Sequence, residues 1–105
     1  MDLRSFIAGM PKAENHVHLD GSTTPQSALE LAARNHVELP FRTPEEAEKL
    51  YQYGSLDDFL RIINAVCQVI RTREDFAYLT LKMAEDAKAQ NILYREVMLS
   101  CYYHE

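Results

Sequence analysis

Basic residues are scarce in this chain: 11 lysines and arginines stand against 16 aspartates and glutamates, a formal net charge of −5. Grip on DNA or RNA phosphates needs a stripe of cations, and these are scattered among carboxylates, so no nucleic-acid partner is expected. Cysteine is nearly missing. Cys67 and Cys101 lie far apart with no Cys-x-x-Cys pair, which excludes a disulfide framework and a cysteine zinc site and leaves two free thiols in a reducing compartment. No apolar run approaches the roughly 20 residues a bilayer demands, and the opening Met1 to Ile7 lacks the apolar stretch of a signal peptide. A cytoplasmic address without membrane contact is the default expectation. Linkers, low-complexity tracts and internal repeats are also lacking, so the 105 residues read as one stretch of domain.

What is present is a soluble balance, 47% hydrophobic and 26% charged, arranged in helical periods. Thr24 with Pro25 supplies a cap and a first-turn proline for a helix through about Arg34, with Ala28, Leu29, Leu31 and Ala32 as its stripe. Thr43-Pro44-Glu45-Glu46 repeats this, Glu46 being placed to return a bond to the cap residue, and predicts a short helix to about Tyr51. Ser55 starts a third helix that is apolar around more than half its circumference, from Phe59 to Ile70, and so should be sandwiched on two sides. Thr72 starts a fourth, reaching about Gln90, which Asn91 can close in the left-handed conformation. Ile92 to Leu99 reads as a strand. The first strand holds the most informative residues of the chain.

His16 and His18 sit one residue apart within Pro11-Lys-Ala-Glu-Asn-His-Val-His-Leu-Asp-Gly21. On a strand, residues i and i+2 share a face about 6 to 7 Å apart, so both imidazoles can converge on one ion. The bland reading is a pair of half-buried, hydrogen-bonded rings. Asp20 continues the same parity, so a persisting strand would put it on that face too, and Asp20-Gly21-Ser22 is equally good turn chemistry. Arg95 and Glu96 place a charge on each face of the second strand, where a buried carboxylate needs a partner or, in the sharper reading, Glu96 orients a metal ligand. His104, close to the end of the sequence, could approach the site, although a terminal histidine is more often just solvated.

The opening motif, Ala32-Ala33-Arg34-Asn35 with Leu39-Pro40, Leu56-Asp57-Asp58-Phe59-Leu60, Arg71 to Phe76, and Tyr94-Arg95-Glu96-Val97-Met98 together resemble the first third of the adenosine deaminase family, in the expected order. The resemblance covers essentially the whole chain. It implies the N-terminal portion of a (β/α)8 TIM-type barrel, mostly helical with about two parallel strands, of a zinc-dependent enzyme that turns adenosine into inosine and ammonia. Such a barrel takes about 250 residues. The chain is therefore expected to be one piece of a longer enzyme, residues 1–105 of an incomplete barrel domain, unable to catalyse alone and prone to self-associate or to need the rest of the barrel.

The resemblance further implies that His16 and His18 are metal ligands, that His18 also borders the substrate, and that Asp20 contacts the ribose of a purine nucleoside. Relatives acting on free adenine more often carry glutamate at the position of Asp20. Where Asn15 stands the family usually has leucine, and Ser100-Cys101 replaces a common Ser-Pro. His36 stands where relatives often carry glycine. The family's later histidines, its catalytic glutamate and its aspartate ligand have no counterparts among these residues. The His-x-Glu and Pro-Cys-x-x-Cys signature of cytidine-type deaminases is absent. An adenine or N6-modified adenosine deaminase stays open, as does a non-catalytic helical interaction module or fragment. Tyr51, Tyr53 and Phe59 could line an aromatic wall of a purine pocket, although core or surface packing is the commoner role of aromatics at such spacing.

Overall fold

A computed structural model describes residues 1–104. In order, its elements are α1 (Leu3–Gly9), β1 (Lys12–His18), α2 (Pro25–Asn35), α3 (Pro44–Leu50), α4 (Leu56–Cys67), α5 (Arg73–Ala89), β2 (Ile92–Met98) and a closing 3-10 turn (Cys101–His104). The two strands pair in parallel, with Val17 opposite Val97 and His18 opposite Met98, so four helices intervene between neighbouring strands. The pairing is irregular between Glu14 and Val17. All four expected helices form.

Capping sets their starts. Thr24, Thr43, Ser55 and Thr72 each accept the backbone N–H of the residue three further on, and Pro25 and Pro44 occupy first-turn positions that need no donor. The return bond expected from Glu46 to Thr43 goes elsewhere: Glu46 Oε2 accepts the Arg42 N–H at 2.7 Å, the longer side chain reaching past the cap residue. The reciprocal box closes at Thr72 and Asp75 instead. His36 ends α2 at φ 55° and ψ 45°, and Asn91 follows α5 at φ 56°, both in the left-handed region.

One helix escaped the sequence reading. α1 is capped by Asp2, whose carboxylate accepts the Ser5 N–H at 2.8 Å, a spacing that the sequence displays. None of its residues is buried, so it carries no apolar stripe against a core. It is held at the amino ends of the strands by polar bonds, from Asn91 Nδ2 to the Gly9 carbonyl and from Lys12 Nζ to the carbonyls of Met10 and Gln90.

The core has two adjoining parts. Val17 and Leu19 pack with Leu31, Val69, Ile70, Leu79 and Met83, while Ala28, Phe41, Ala47, Ile62 and Val66 fill the space among α2, α3 and α4. α4 is not sandwiched as expected: Ile62, Val66 and Cys67 are buried, but Phe59 and Leu60 stay exposed on its other flank. Its apolar girth serves a pocket wall on that side. Arg95 sits on the α5 side of β2 and bonds Glu14, Asp86 and the Met83 carbonyl, each at 2.8 to 2.9 Å. The radius of gyration, 15.0 Å, exceeds the roughly 13 Å of a compact domain of this length, and Leu93, Tyr94 and Val97 of β2 are half exposed or more.

Candidate active site

β1 ends at His18, and the chain turns at once. The Ser22 N–H bonds the His18 carbonyl at 2.9 Å, and the Ser22 and Thr23 hydroxyls bond the carbonyls of Leu19 and Asp20 at 2.8 and 2.7 Å. The strand alternation that buries Val17 and Leu19 turns His16 and His18 to the opposite, open face. Their ring centroids are 5.2 Å apart and their Nε2 atoms 3.3 Å apart. Two nitrogens each about 2.0 Å from one tetrahedral ion lie about 3.3 Å apart, so the pair matches the bite of a zinc or similar divalent cation. Neither ring makes another hydrogen bond among the described residues, so with both ring protons on Nδ1 the two Nε2 lone pairs would face one ion. The pair supplies two ligands, and a protein site normally needs at least three.

A pocket of 220 Å³ opens beside His18, bounded by Asp20, Gly21, Cys67 and Ser100 and by Phe59, Leu60 and Ile63 of α4. Phe59 stands edge-on to Tyr53 at 5.1 Å, and Tyr53 stacks on Tyr51 at 6.2 Å. Of these three aromatics Phe59 lines the pocket, turned to it by the orientation of α4. Gly21 gives this corner its closeness, since a Cβ there would lie 3.2 Å from that of His18. In the full-length protein, Gly21→Ala should push His18 aside and weaken metal retention about 10-fold in chelator competition, with stability changed by less than about 1 kcal/mol.

Asp20 lies in the turn rather than on a continuing strand, yet it still meets the pocket. Its carboxylate is almost wholly buried. Oδ1 accepts the Gly21 N–H at 2.9 Å, and Oδ2 lies 3.3 Å from His104 Nε2. Asp20 thus belongs to the turn and lines the pocket as well. His104 takes the less common of its two readings: the closing turn folds it back towards Asp20, so that its side chain is only 9% exposed, edge-on to Phe76 at 5.0 Å.

Cys67, unmarked by any motif, has its sulfur near these two groups, the donor atoms of Asp20, Cys67 and His104 lying within 4.8 Å of one another. Burial, and then the charge of Asp20, push the Cys67 thiol up to about 12, which keeps it protonated at neutral pH and disfavours a nucleophilic role. Both cysteines are free. Glu96 accepts the Tyr94 hydroxyl at 2.7 Å and bonds neither histidine; the carboxylates that pair with Arg95 are Glu14 and Asp86.

Two converging imidazoles at the carboxyl end of a parallel strand, beside a pocket with a buried carboxylate, are parts of the kind that metal-dependent enzymes of the α/β barrel class gather at that end of their strands. Comparison with known proteins agrees and narrows it. The family model described as adenosine deaminase matches residues 11–105, and the chain belongs to that family. It is 35% identical over 102 residues to an adenine deaminase of Vibrio parahaemolyticus, covering 97% of this chain and 30% of that protein. With an adenine deaminase of Chlorobium luteolum it shares 42% identity over 99 residues, 94% of this chain and 29% of the other.

Among solved structures, the adenine deaminase of Arthrobacter aurescens superposes with a TM-score of 0.81 at 33% identity, over 89% of this chain and 28% of that one. Arabidopsis N6-mAMP deaminase does so at 0.69 and 22% identity, over 91% and 29%, a likeness of fold. The chain thus spans about three tenths of the length of the relatives it matches. No helix among the described residues is long and apolar enough to cross a membrane.

Proposed function

We propose that this chain is the N-terminal part of a cytoplasmic, zinc-dependent hydrolase that deaminates adenosine to inosine and ammonia, residues 1–105 forming the first portion of its barrel domain. The observation that carries the proposal is the 3.3 Å separation of the His16 and His18 Nε2 atoms at the mouth of a pocket. Both imidazoles would hold the ion. Zinc, when bound, supplies water activated for hydrolysis near neutral pH. Phe59, Leu60 and Ile63 give a purine ring an apolar wall and keep bulk water from it. Asp20, an acceptor with no donor of its own when ionised, takes a hydroxyl of the sugar. Ligands that complete the metal site, and the groups that move protons, belong to the remainder of the barrel, which also covers the open faces of β1 and β2.

Adenosine rests on Asp20, since the family's adenine-specific members more often carry glutamate there. A second reading, free adenine as substrate, is favoured by the names of the relatives quoted above. Steady-state kinetics of the full-length zinc-loaded protein separate them. A kcat/KM for adenosine at least about tenfold above that for adenine supports the proposal, a difference of about 1.4 kcal/mol in transition-state binding. The reverse order establishes the adenine reading, and inertness towards every 6-aminopurine overturns both.

A further inference from the structure

The contact between His104 and Asp20 joins residues 84 apart in sequence and serves no element of the fold's capping or sheet. We infer that His104 is a positioning residue that fixes the Asp20 carboxylate and thereby sets the preference for a substrate bearing a sugar hydroxyl; this rests on the reading of Asp20 as the sugar contact.

The geometry is specific. Asp20 side-chain exposure is 4% and that of His104 is 9%, so neither group can find its hydrogen bonds in water. Asp20 Oδ1 is held by the Gly21 N–H at 2.9 Å, and Oδ2 by His104 Nε2 at 3.3 Å. With both oxygens engaged, the carboxylate loses its freedom to rotate, and its remaining lone pairs keep a fixed direction at the pocket that Asp20 lines. The other ring nitrogen of His104, Nδ1, is buried and has no partner among the described residues. A buried N–H without an acceptor is costlier than an unused lone pair, so the proton resides on Nε2 and is donated to Asp20. Phe76, edge-on at 5.0 Å, keeps the ring in that orientation.

A fixed acceptor favours a ligand whose donor falls in one place. The hydroxyl of a nucleoside gains from it, and a free base, which carries no sugar, does not.

The test uses the full-length zinc-loaded protein. His104→Ala should raise KM for adenosine about tenfold with kcat within about twofold, and leave kcat/KM for adenine unchanged within about twofold. His104→Gln, whose amide N–H can reach the same oxygen, should restore most of the loss. In an Asp20→Ala background, His104→Ala should add nothing further, because the effect passes through Asp20. A fall in kcat alone, effects that multiply in the double variant, or equal losses for adenosine and adenine overturn the inference.

A second readout is independent of turnover. In histidine-15N-labelled protein, a slowly exchanging Nε2–H resonance, assigned by its absence from His104→Gln, should vanish in Asp20→Ala. Its absence from the unsubstituted protein overturns the inference whatever the kinetics show. If the protein is inert on all aminopurines while the resonance is present, the contact stands, but the deaminase reading and the specificity role built on it both fall.

Discussion

Asp75→Ala should destabilise the full-length protein by about 3 kcal/mol, the usual cost of stranding the partners of a buried charge. Asp75 is fully buried at the start of α5 and binds two separate stretches of the chain, residues 34–35 and 71–72. Its Oδ2 accepts the N–H groups of Arg71 and Thr72 at 2.8 and 2.9 Å and the Asn35 amide at 2.8 Å, while Oδ1 accepts Arg34 Nη1 at 3.1 Å. The same Asn35 amide donates to the Val69 carbonyl at 2.7 Å. One carboxylate therefore ties the end of α2 and the loop after α4 to the cap of α5. Asp75→Asn keeps the shape and one acceptor oxygen but not the charge, so it should cost about 2 kcal/mol, the part that the charge supplies.

The sign of the pH dependence follows from the same bonds. Burial alone would raise the carboxyl's pKa, but the Arg71 and Thr72 N–H groups, Asn35 and Arg34 together hold it down at about 2, below the ordinary 3.8. A depressed folded-state value means that the group's stabilisation is complete above about pH 4 and is lost as pH falls towards 2. Its size is about 2 kcal/mol. Chemical denaturation at pH 7 and at pH 2 checks this: the gap between the unsubstituted protein and Asp75→Asn should narrow by that amount in acid, and a gap independent of pH would remove the charge from the explanation.

Much of this architecture is written locally. Caps at Thr24, Thr43, Ser55 and Thr72 and the left-handed closures at His36 and Asn91 depend on residues within one turn of each other, so the sequence alone places the helix starts to within a residue or two, and the ends as well except for α4, which stops at Cys67, three residues before the expected Ile70. The histidine pair is legible for the same reason: a spacing of two on a strand fixes the shared face. What sequence could not display depends on distant contacts or on orientation. His104 meets Asp20 only because the closing turn returns over the carboxyl ends of the strands. Cys67 and Phe59 belong to one helix that is apolar around more than half its circumference, and nothing in its pattern tells which flank meets the core and which the pocket. α1 has no buried face, so periodicity was silent, and only the Asp2 to Ser5 cap marks it.

The histidine pair carries the largest expected effect on chemistry. His16→Ala or His18→Ala, made singly in the full-length protein, should each reduce bound zinc after dialysis to a small fraction of one equivalent and lower kcat/KM by about 1,000-fold or more, several kcal/mol of transition-state stabilisation being lost with the ion. Two features make the prediction sharp. Both rings are exposed and neither has another hydrogen-bond partner among the described residues, so removing either one leaves no buried donor or acceptor stranded in this part of the fold, and stability of the metal-free protein should change by less than about 1 kcal/mol. The 3.3 Å separation, in contrast, is useful only to a shared ion or proton, because two exposed imidazoles gain little by close approach in water. Metal analysis beside thermal unfolding of the metal-free variants distinguishes the cases. Zinc lost with unfolding unchanged identifies ligands, whereas zinc retained by either variant would return the pair to ordinary surface histidines and remove the central support for hydrolytic chemistry at this strand end.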